Sequence, residues 1–279
     1  MKFWKAHRLD VGQRVSLAEI PTKASGPFEG KEQAKAFAAE TNDEIRDLQY
    51  RLFVERKQSL LIVLQAPDAA GKDGLIRNVL GKMNPQGCRT YPFKAPSKEE
   101  LAHDFLWRIH RCTPGRGKVS VFNRSHYEDV LVVRVEDLVS RQVWSRRYDA
   151  INHFEQNLLD HGTKILKFYL HISPEEQLER FKKRLDNPEK HWKLNVGDYQ
   201  VRDKWDAYRE AYEEALERCN HADSPWYVIP ADRKWYRDAA VAAIVRDTLT
   251  EMDPQMPPVD VDLEQIRSLY ERELAELKE

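Results

Sequence analysis

The sequence predicts an α/β fold, a parallel sheet of five strands covered by helices, and three observations carry that prediction. Short apolar runs of strand length recur along the chain; amphipathic segments of helix length separate them; and the first apolar run, Leu60–Gln65, passes through a loop of small residues into a helical pattern. Strands alternating with helices need crossover connections, which are right-handed and lay helices on both faces of a parallel sheet.

The elements follow in order. A polar arm, residues 1–32, comes first. From Gln33 to about Gln58 the chain reads as one helix, with Ile45, Leu48, Leu52 and Phe53 at helical spacing. After the first strand, a helix spans Leu75 to Met83. Cys88–Phe93 reads as the second strand, ended by Pro92, which has no N–H to give a ladder. Ser97 with Glu100 three residues on makes a capping box for a helix carrying Leu101, Phe105, Leu106 and Ile109. Val119–Phe122 and Ile165–Ile172 are the third and fourth strands. Ser173 then caps a helix with Pro174 at its first position, where the fixed φ is already helical. Val201, Trp205, Tyr208, Tyr212, Leu216 and Cys219 mark a long amphipathic helix, and Trp226–Pro230 is the fifth strand. Met252–Pro258 reads as a linker before an amphipathic C-terminal helix carrying Leu263, Ile266, Leu269, Tyr270, Leu274 and Leu277. One domain, residues 33–250, is expected between the arm and a tail at 251–279.

Composition bounds the function. With 279 residues, 41% hydrophobic and 33% charged, the chain is long enough for a substantial core and polar enough to be soluble. No apolar run approaches the roughly 20 residues that span a bilayer, and the first residues lack the apolar stretch of a signal peptide, so a cytoplasmic protein without a membrane partner is expected. Three cysteines, Cys88, Cys112 and Cys219, are scattered without C-x-x-C spacing, which argues against disulfides and zinc. A formal charge of −1 excludes nucleic-acid binding through bulk charge but leaves local basic patches, such as Lys182-Lys183-Arg184, free to act.

Ala66-Pro67-Asp68-Ala69-Ala70-Gly71-Lys72-Asp73-Gly74 is the richest motif. A strand ends, small residues turn the chain, and a helix presents unpaired N–H groups and its positive dipole end, the setting in which anions bind. Ala69, Ala70, Gly71, Asp73 and Gly74 would cradle phosphate, and Lys72 stands where the phosphate-loop lysine reaches a β- or γ-phosphate. The pattern G-x-x-x-x-G-K-[ST] is broken twice, by Ala66 for glycine and by Asp73 for the hydroxyl that normally meets Mg²⁺. Asp68, inside the loop, is the candidate to take over the metal, since Mg²⁺ prefers oxygen ligands beside substrate phosphates.

Ligands of open parallel sheets bind at the carboxyl ends of strands, which brings three further segments to this loop. Asn123-Arg124-Ser125-His126-Tyr127-Glu128-Asp129 leaves the third strand with an amide, a guanidinium and two carboxylates. Phosphoryl transfer needs alignment and charge neutralisation, so Arg124 is a phosphate clamp candidate and Glu128 and Asp129 are metal candidates, while His126 reads as a packing or hydrogen-bonding residue. A basic helix end, Lys182-Lys183-Arg184, runs into a polar segment, and the stretch near 180–198 has the make-up of a mobile lid over phosphates. Arg233, after the fifth strand, is placed to flank a base.

Taken together, these segments resemble the family-2 polyphosphate kinases, phosphotransferases that move phosphoryl groups between inorganic polyphosphate and nucleotides. The matching stretches are the loop at 66–74, Phe122–Leu131, Asp186–Lys193 and Pro225–Tyr236, in family order across about residues 30–250. The resemblance implies a thymidylate-kinase-like P-loop core, a basic lid, Mg²⁺ with Mn²⁺ as an alternative, and a channel for the polyphosphate chain. It makes Asp68 the metal-managing carboxylate, Lys72 the Walker A lysine and Arg124 the clamp. The commonest family pattern has aspartate at the place of Asn123 and asparagine at that of Glu128. The exchange seen here resembles the class III subgroup, which accepts both AMP and ADP and makes ATP. Two other readings share much of the sequence: an ATP-dependent nucleoside monophosphate kinase, and a non-catalytic nucleotide-binding protein. The seven tryptophans and the apolar face of the C-terminal helix fit a homo-oligomer, and equally a helix folded back on its own domain.

Overall fold

The computed structural model describes residues 2–278. Its sheet has five strands in the order β2 (Cys88–Pro92), β3 (Val119–Asn123), β1 (Ser59–Gln65), β4 (Thr163–His171) and β5 (Trp226–Pro230), all parallel. β1 is central and buried along its whole length, which is why it is an unbroken apolar run. Side chains alternate across it: Leu60, Ile62 and Leu64 enter one core, and Leu61 and Val63 the other. The first core is closed by α1 (Lys31–Glu55), α2 (Lys72–Asn78) and α10 (Lys234–Met252); the second by α5 (Glu128–Val135), α6 (Arg141–Asp160) and α9 (Trp205–Arg218). From β1 the chain crosses to β2 and returns through β3, then continues on the other side through β4 and β5. The carboxyl end of β1 is therefore a topological switch point, where such sheets bind ligands.

Local signals placed several elements well. Ser97 accepts from the Glu100 N–H and its own N–H donates to the Glu100 carboxylate, a complete capping box, although the helix it opens, α3 (Lys98–Leu101), is a single turn followed by α4 (Trp107–His110). Ser173 caps α7 (Pro174–Leu185) as expected. The long helix expected through Val201 and Cys219 is interrupted: α8 (Val196–Asp203) ends at Lys204 and α9 begins at Trp205. Past Asn78 the expected loop helix tightens into a 3₁₀ turn at Leu80–Lys82.

The arm is not a loose extension. A 3₁₀ turn at Phe3–His7 buries Trp4, whose indole donates to Asp247 at 3.0 Å, and the Leu9 N–H donates to the Trp226 carbonyl. Further on, the N–H groups of Val15 and Leu17 donate to the Glu217 and Glu213 carboxylates of α9. By contrast, α11 (Leu263–Glu276) buries none of its residues.

Candidate active site

The loop between β1 and α2 is held in shape by its main chain. Ala69 (φ 62°) and Gly71 (φ 103°) take left-handed conformations, and a Cβ at Gly71 would collide with the Arg237 guanidinium, so glycine is required there. The Ala69 and Ala70 carbonyls turn toward buried Arg180, and that of Ala70 also accepts from Arg237 at 3.0 Å. Lys72 Nζ donates to the Ala66 carbonyl at 2.9 Å. Burial lowers the Lys72 pKa, an effect the Asp68, Glu128 and Asp73 carboxylates oppose.

Arg124 also has a left-handed backbone (φ 61°), which sends its side chain back over the loop. Its Nη2 lies 3.0 Å from Asp68 Oδ1 and its Nη1 4.0 Å from Glu128 Oε2. Burial alone would lower the Arg124 pKa, but Glu128 and Asp68 together raise it, keeping the guanidinium charged. Glu128 is pushed above the usual carboxylate value because burial outweighs the nearby Arg124 and Lys72 charges. Asn123 Nδ2 donates to Asp73 Oδ1 at 3.0 Å, and Lys193 approaches the other Asp73 oxygen at 3.7 Å.

Two cavities meet at Asp68 and Arg124, which line both. One, of about 680 Å³, is cationic: besides Lys72 and Arg124 it is walled by Lys94, Lys183, Arg184, Lys190, Lys193 and Lys234, against the two carboxylates Asp68 and Asp73. The other, of about 600 Å³, is aromatic and mixed in charge, lined by Glu128, Tyr169, Trp205, Tyr208, Arg209 and Tyr212. Leu17, from the arm, forms part of its wall.

The structure gathers most of the expected site residues and parts with four. Ala70, expected to help cradle phosphate, is buried, gives its N–H to the Pro67 carbonyl and its carbonyl to Arg180 and Arg237, and lines neither cavity. Asp129 was expected beside the metal, but successive helix residues point about 100° apart. Its carboxylate turns away from Glu128 to Arg147 at 3.1 Å and Arg108 at 3.9 Å, outside both cavities. Lys182 is exposed and bound to Asp186 at 2.5 Å, whereas Lys183 and Arg184 on the same turn do line the cationic cleft. Arg233 hydrogen-bonds Ser25 of the arm and packs over Trp235, so it anchors the arm and lines neither of these two cavities. His126 is buried, as expected for a packing residue. Its Nε2 lies 3.3 Å from Glu155, whose ionised carboxylate can only accept, so the ring N–H donates; burial lowers the His126 pKa, and Glu155 also binds Lys167 at 2.6 Å. Arg180, Lys234 and Arg237 and the tyrosine wall of the second cavity went unread; Tyr208 and Tyr212 carry a helical spacing indistinguishable from a core stripe.

A phosphate loop at the switch point of a parallel sheet, between a cationic cleft and an aromatic cavity, defines a P-loop phosphotransferase. The chain belongs to the polyphosphate kinase 2 family: the family described as Polyphosphate kinase 2 (PPK2) matches residues 29–257. It is 47% identical over 263 residues to the AMP/ADP-polyphosphate phosphotransferase of Meiothermus ruber, covering 94% of this chain and 98% of that protein. It is 42% identical over 265 residues to the ADP-polyphosphate phosphotransferase of Rhodopseudomonas palustris, covering 91% and 92% of the two. The crystal structure of polyphosphate kinase 2 from Arthrobacter aurescens superposes with a TM-score of 0.92 at 41% identity, over 96% of each chain.

Proposed function

We propose that the protein transfers phosphoryl groups reversibly between inorganic polyphosphate and nucleotides, with AMP and ADP as acceptors and ATP as the final product. The meeting of the two unlike cavities at Asp68 and Arg124, within reach of Lys72, carries this reading. A polyanion of many phosphates needs more cations than one phosphate loop provides, and the lid and loop-side lysines of the first cleft supply them; a kinase using ATP as donor has no such need. The second cavity takes the acceptor: its tyrosines and Trp205 offer faces to a base, and Arg209 offers a charge to its phosphates.

Catalysis in this arrangement is alignment and neutralisation. Lys72 balances the charge of the moving phosphoryl group, Arg124 bridges donor and acceptor sides, and the loop N–H groups hold the donor's terminal phosphates. Among the described residues, no group of three or more His, Cys, Asp or Glu is arranged to hold a metal. That suits Mg²⁺, with Mn²⁺ as a substitute, because this ion takes one or two carboxylates and fills its remaining positions with phosphates and water. Asp68 is the main carboxylate for it and Glu128 the second. When bound, the ion neutralises phosphate oxygens. Protein isolated and mixed with Mg²⁺, ADP and polyphosphate, with no other donor, should make ATP; no ATP under these conditions rejects the reading.

No helix among the described residues is long and apolar enough to cross a membrane. We place the protein in the cytoplasm, where nucleotides and polyphosphate meet, and read the uncovered apolar face of α11 as a surface for self-association.

A further inference from the structure

Arg180 is a guanidinium with no donor to spare. It is 4% exposed. Its Nε donates to Glu176 at 2.8 Å, Nη1 to the carbonyls of Ala69 at 2.9 Å and Ala70 at 2.8 Å, and Nη2 to those of Ala231 at 2.6 Å and Asp232 at 3.1 Å. An arginine has five N–H donors, so all are engaged by the protein itself, four of them by main-chain oxygens. Although it borders the cationic cleft, its geometry is that of a brace, unlike Lys183 and Arg184 one turn on.

We infer that Arg180 is a positioning residue of the transfer reaction, whose guanidinium holds the phosphate loop in its anion-receiving form and ties it to the lid helix. The peptide bond supplies the reason. It is planar and trans, so the Ala70 carbonyl and the Gly71 N–H point in opposite directions. With that carbonyl drawn to Arg180 and Arg237 on one side, the Gly71 N–H is directed to the other. The N–H groups that follow belong to the first turn of α2, which leaves them without intrahelical acceptors. Arg180 thus orients the loop's donors without touching the ligand. Through its own helix, α7, it also makes the loop and the cations Lys183 and Arg184 parts of one unit. Lysine cannot replace it: one ammonium carries three donors and no planar fork.

The inference rests on the loop being the phosphoryl site, so its test begins there. Mg²⁺-tripolyphosphate should raise the Tm of the native protein, and Lys72→Ala should abolish the rise; a native protein without any rise overturns both the site assignment and the role of Arg180. Given the rise, Arg180→Lys should lose it and lose about 100-fold in kcat, with its KM for AMP unchanged, while its ligand-free Tm falls by several degrees because buried carbonyls lose donors, yet stays above the assay temperature. Glu176→Gln, which leaves the four main-chain bonds in place, should keep most of the native kcat. Arg180→Met should match Arg180→Lys; if it fails to fold, the lysine variant decides alone. Native kcat with a native Tm rise in Arg180→Lys overturns the proposal. So does a raised KM for polyphosphate with kcat unchanged, which would make Arg180 a direct phosphate ligand.

Discussion

Arg124 Nη2 and Asp68 Oδ1 stand 3.0 Å apart at the point where the cationic cleft opens into the aromatic cavity. Each comes from a different strand end, and each is aimed by a left-handed residue, Arg124 itself on one side and Ala69 beside Asp68 on the other. In the proposed transfer, a phosphoryl group moving between the cavities would pass this pair, with the cation following the migrating charge.

Lys72→Ala should lower kcat by about 100-fold or more, because one preorganised cation at developing charge is worth that much. Alanine is a good helix former, so circular dichroism and Tm should hardly change. A variant retaining more than about a tenth of native turnover removes Lys72 from the mechanism.

Asp68→Asn should also impair transfer, yet recover in part as Mg²⁺ is raised, since its effect runs through metal affinity. A titration of rate against Mg²⁺ distinguishes this from loss of the Arg124 contact, which added metal would not restore.

Glu128→Asn should affect AMP more than ADP. Glu128 lies in the aromatic cavity near Arg124, and in the proposed acceptor site the shorter AMP would have to be drawn deeper toward the donor. The ratio of kcat/KM for the two acceptors should shift by roughly tenfold, or about 1.4 kcal/mol. Equal losses would make Glu128 a general ligand.

Replacing Lys183, Arg184, Lys190 and Lys193 by glutamine should raise the KM for polyphosphate far more than that for AMP. Lys182→Gln alone should do little, as that side chain is bound to Asp186 outside the cleft. In the native protein the KM for polyphosphate should climb steeply with salt, as for other polyanions held by charge.

The buried Glu155–Lys167 pair predicts an acid limit to stability. Glu155 falls from the usual 4.5 to about 2: burial opposes this, but Lys167 and His126 outweigh it. A depressed carboxylate stabilises above its unfolded pKa, and that contribution is lost as pH falls from about 4.5 toward 2. His126 acts in the same direction, because its lowered pKa makes protonation favour the unfolded chain below the usual 6.5. Denaturant titrations from pH 7 to 3 should show this decline. Lys167→Met should cost about 3–5 kcal/mol by stranding the carboxylate, and adding Glu155→Gln should return most of it.

Where the chain's own neighbours decide the outcome, the sequence was legible. β5, the Ser97 box and the Ser173-Pro174 start rest on residues within one turn of each other. α10 escaped because Ala239, Ala240, Ala242, Ala243, Val241 and Ile244 bury it on nearly every side, leaving no polar face to give a period. α6 escaped as well, its buried Glu155 breaking the apolar stripe of Trp144, Tyr148, Ile151 and Leu158. The loop lysine and Asp68 could be named from their motif, but Glu128 and Asp129 are interchangeable on paper. Only Arg108 and Arg147, brought up from other helices, separate them. Nothing local marks Arg180 and Arg237 as braces of the loop, since the loop carbonyls they hold are more than 100 positions away.

The N-terminal arm gives the site an order of assembly. Trp4 is synthesised 243 residues before the Asp247 that receives its indole hydrogen bond, and Leu17 waits 196 residues for Glu213. A growing chain therefore carries its phosphate loop and three strands long before the wall of the aromatic cavity can close. Loop closure over such separations is slow relative to local folding. An unfinished copy of this kind would hold the loop sequence without Arg180 and Arg237, which fix its carbonyls, and without most of the lysines that wall the cleft. The proposed transfer would therefore wait for α10, which carries both Arg237 and the Asp247 that fixes the arm.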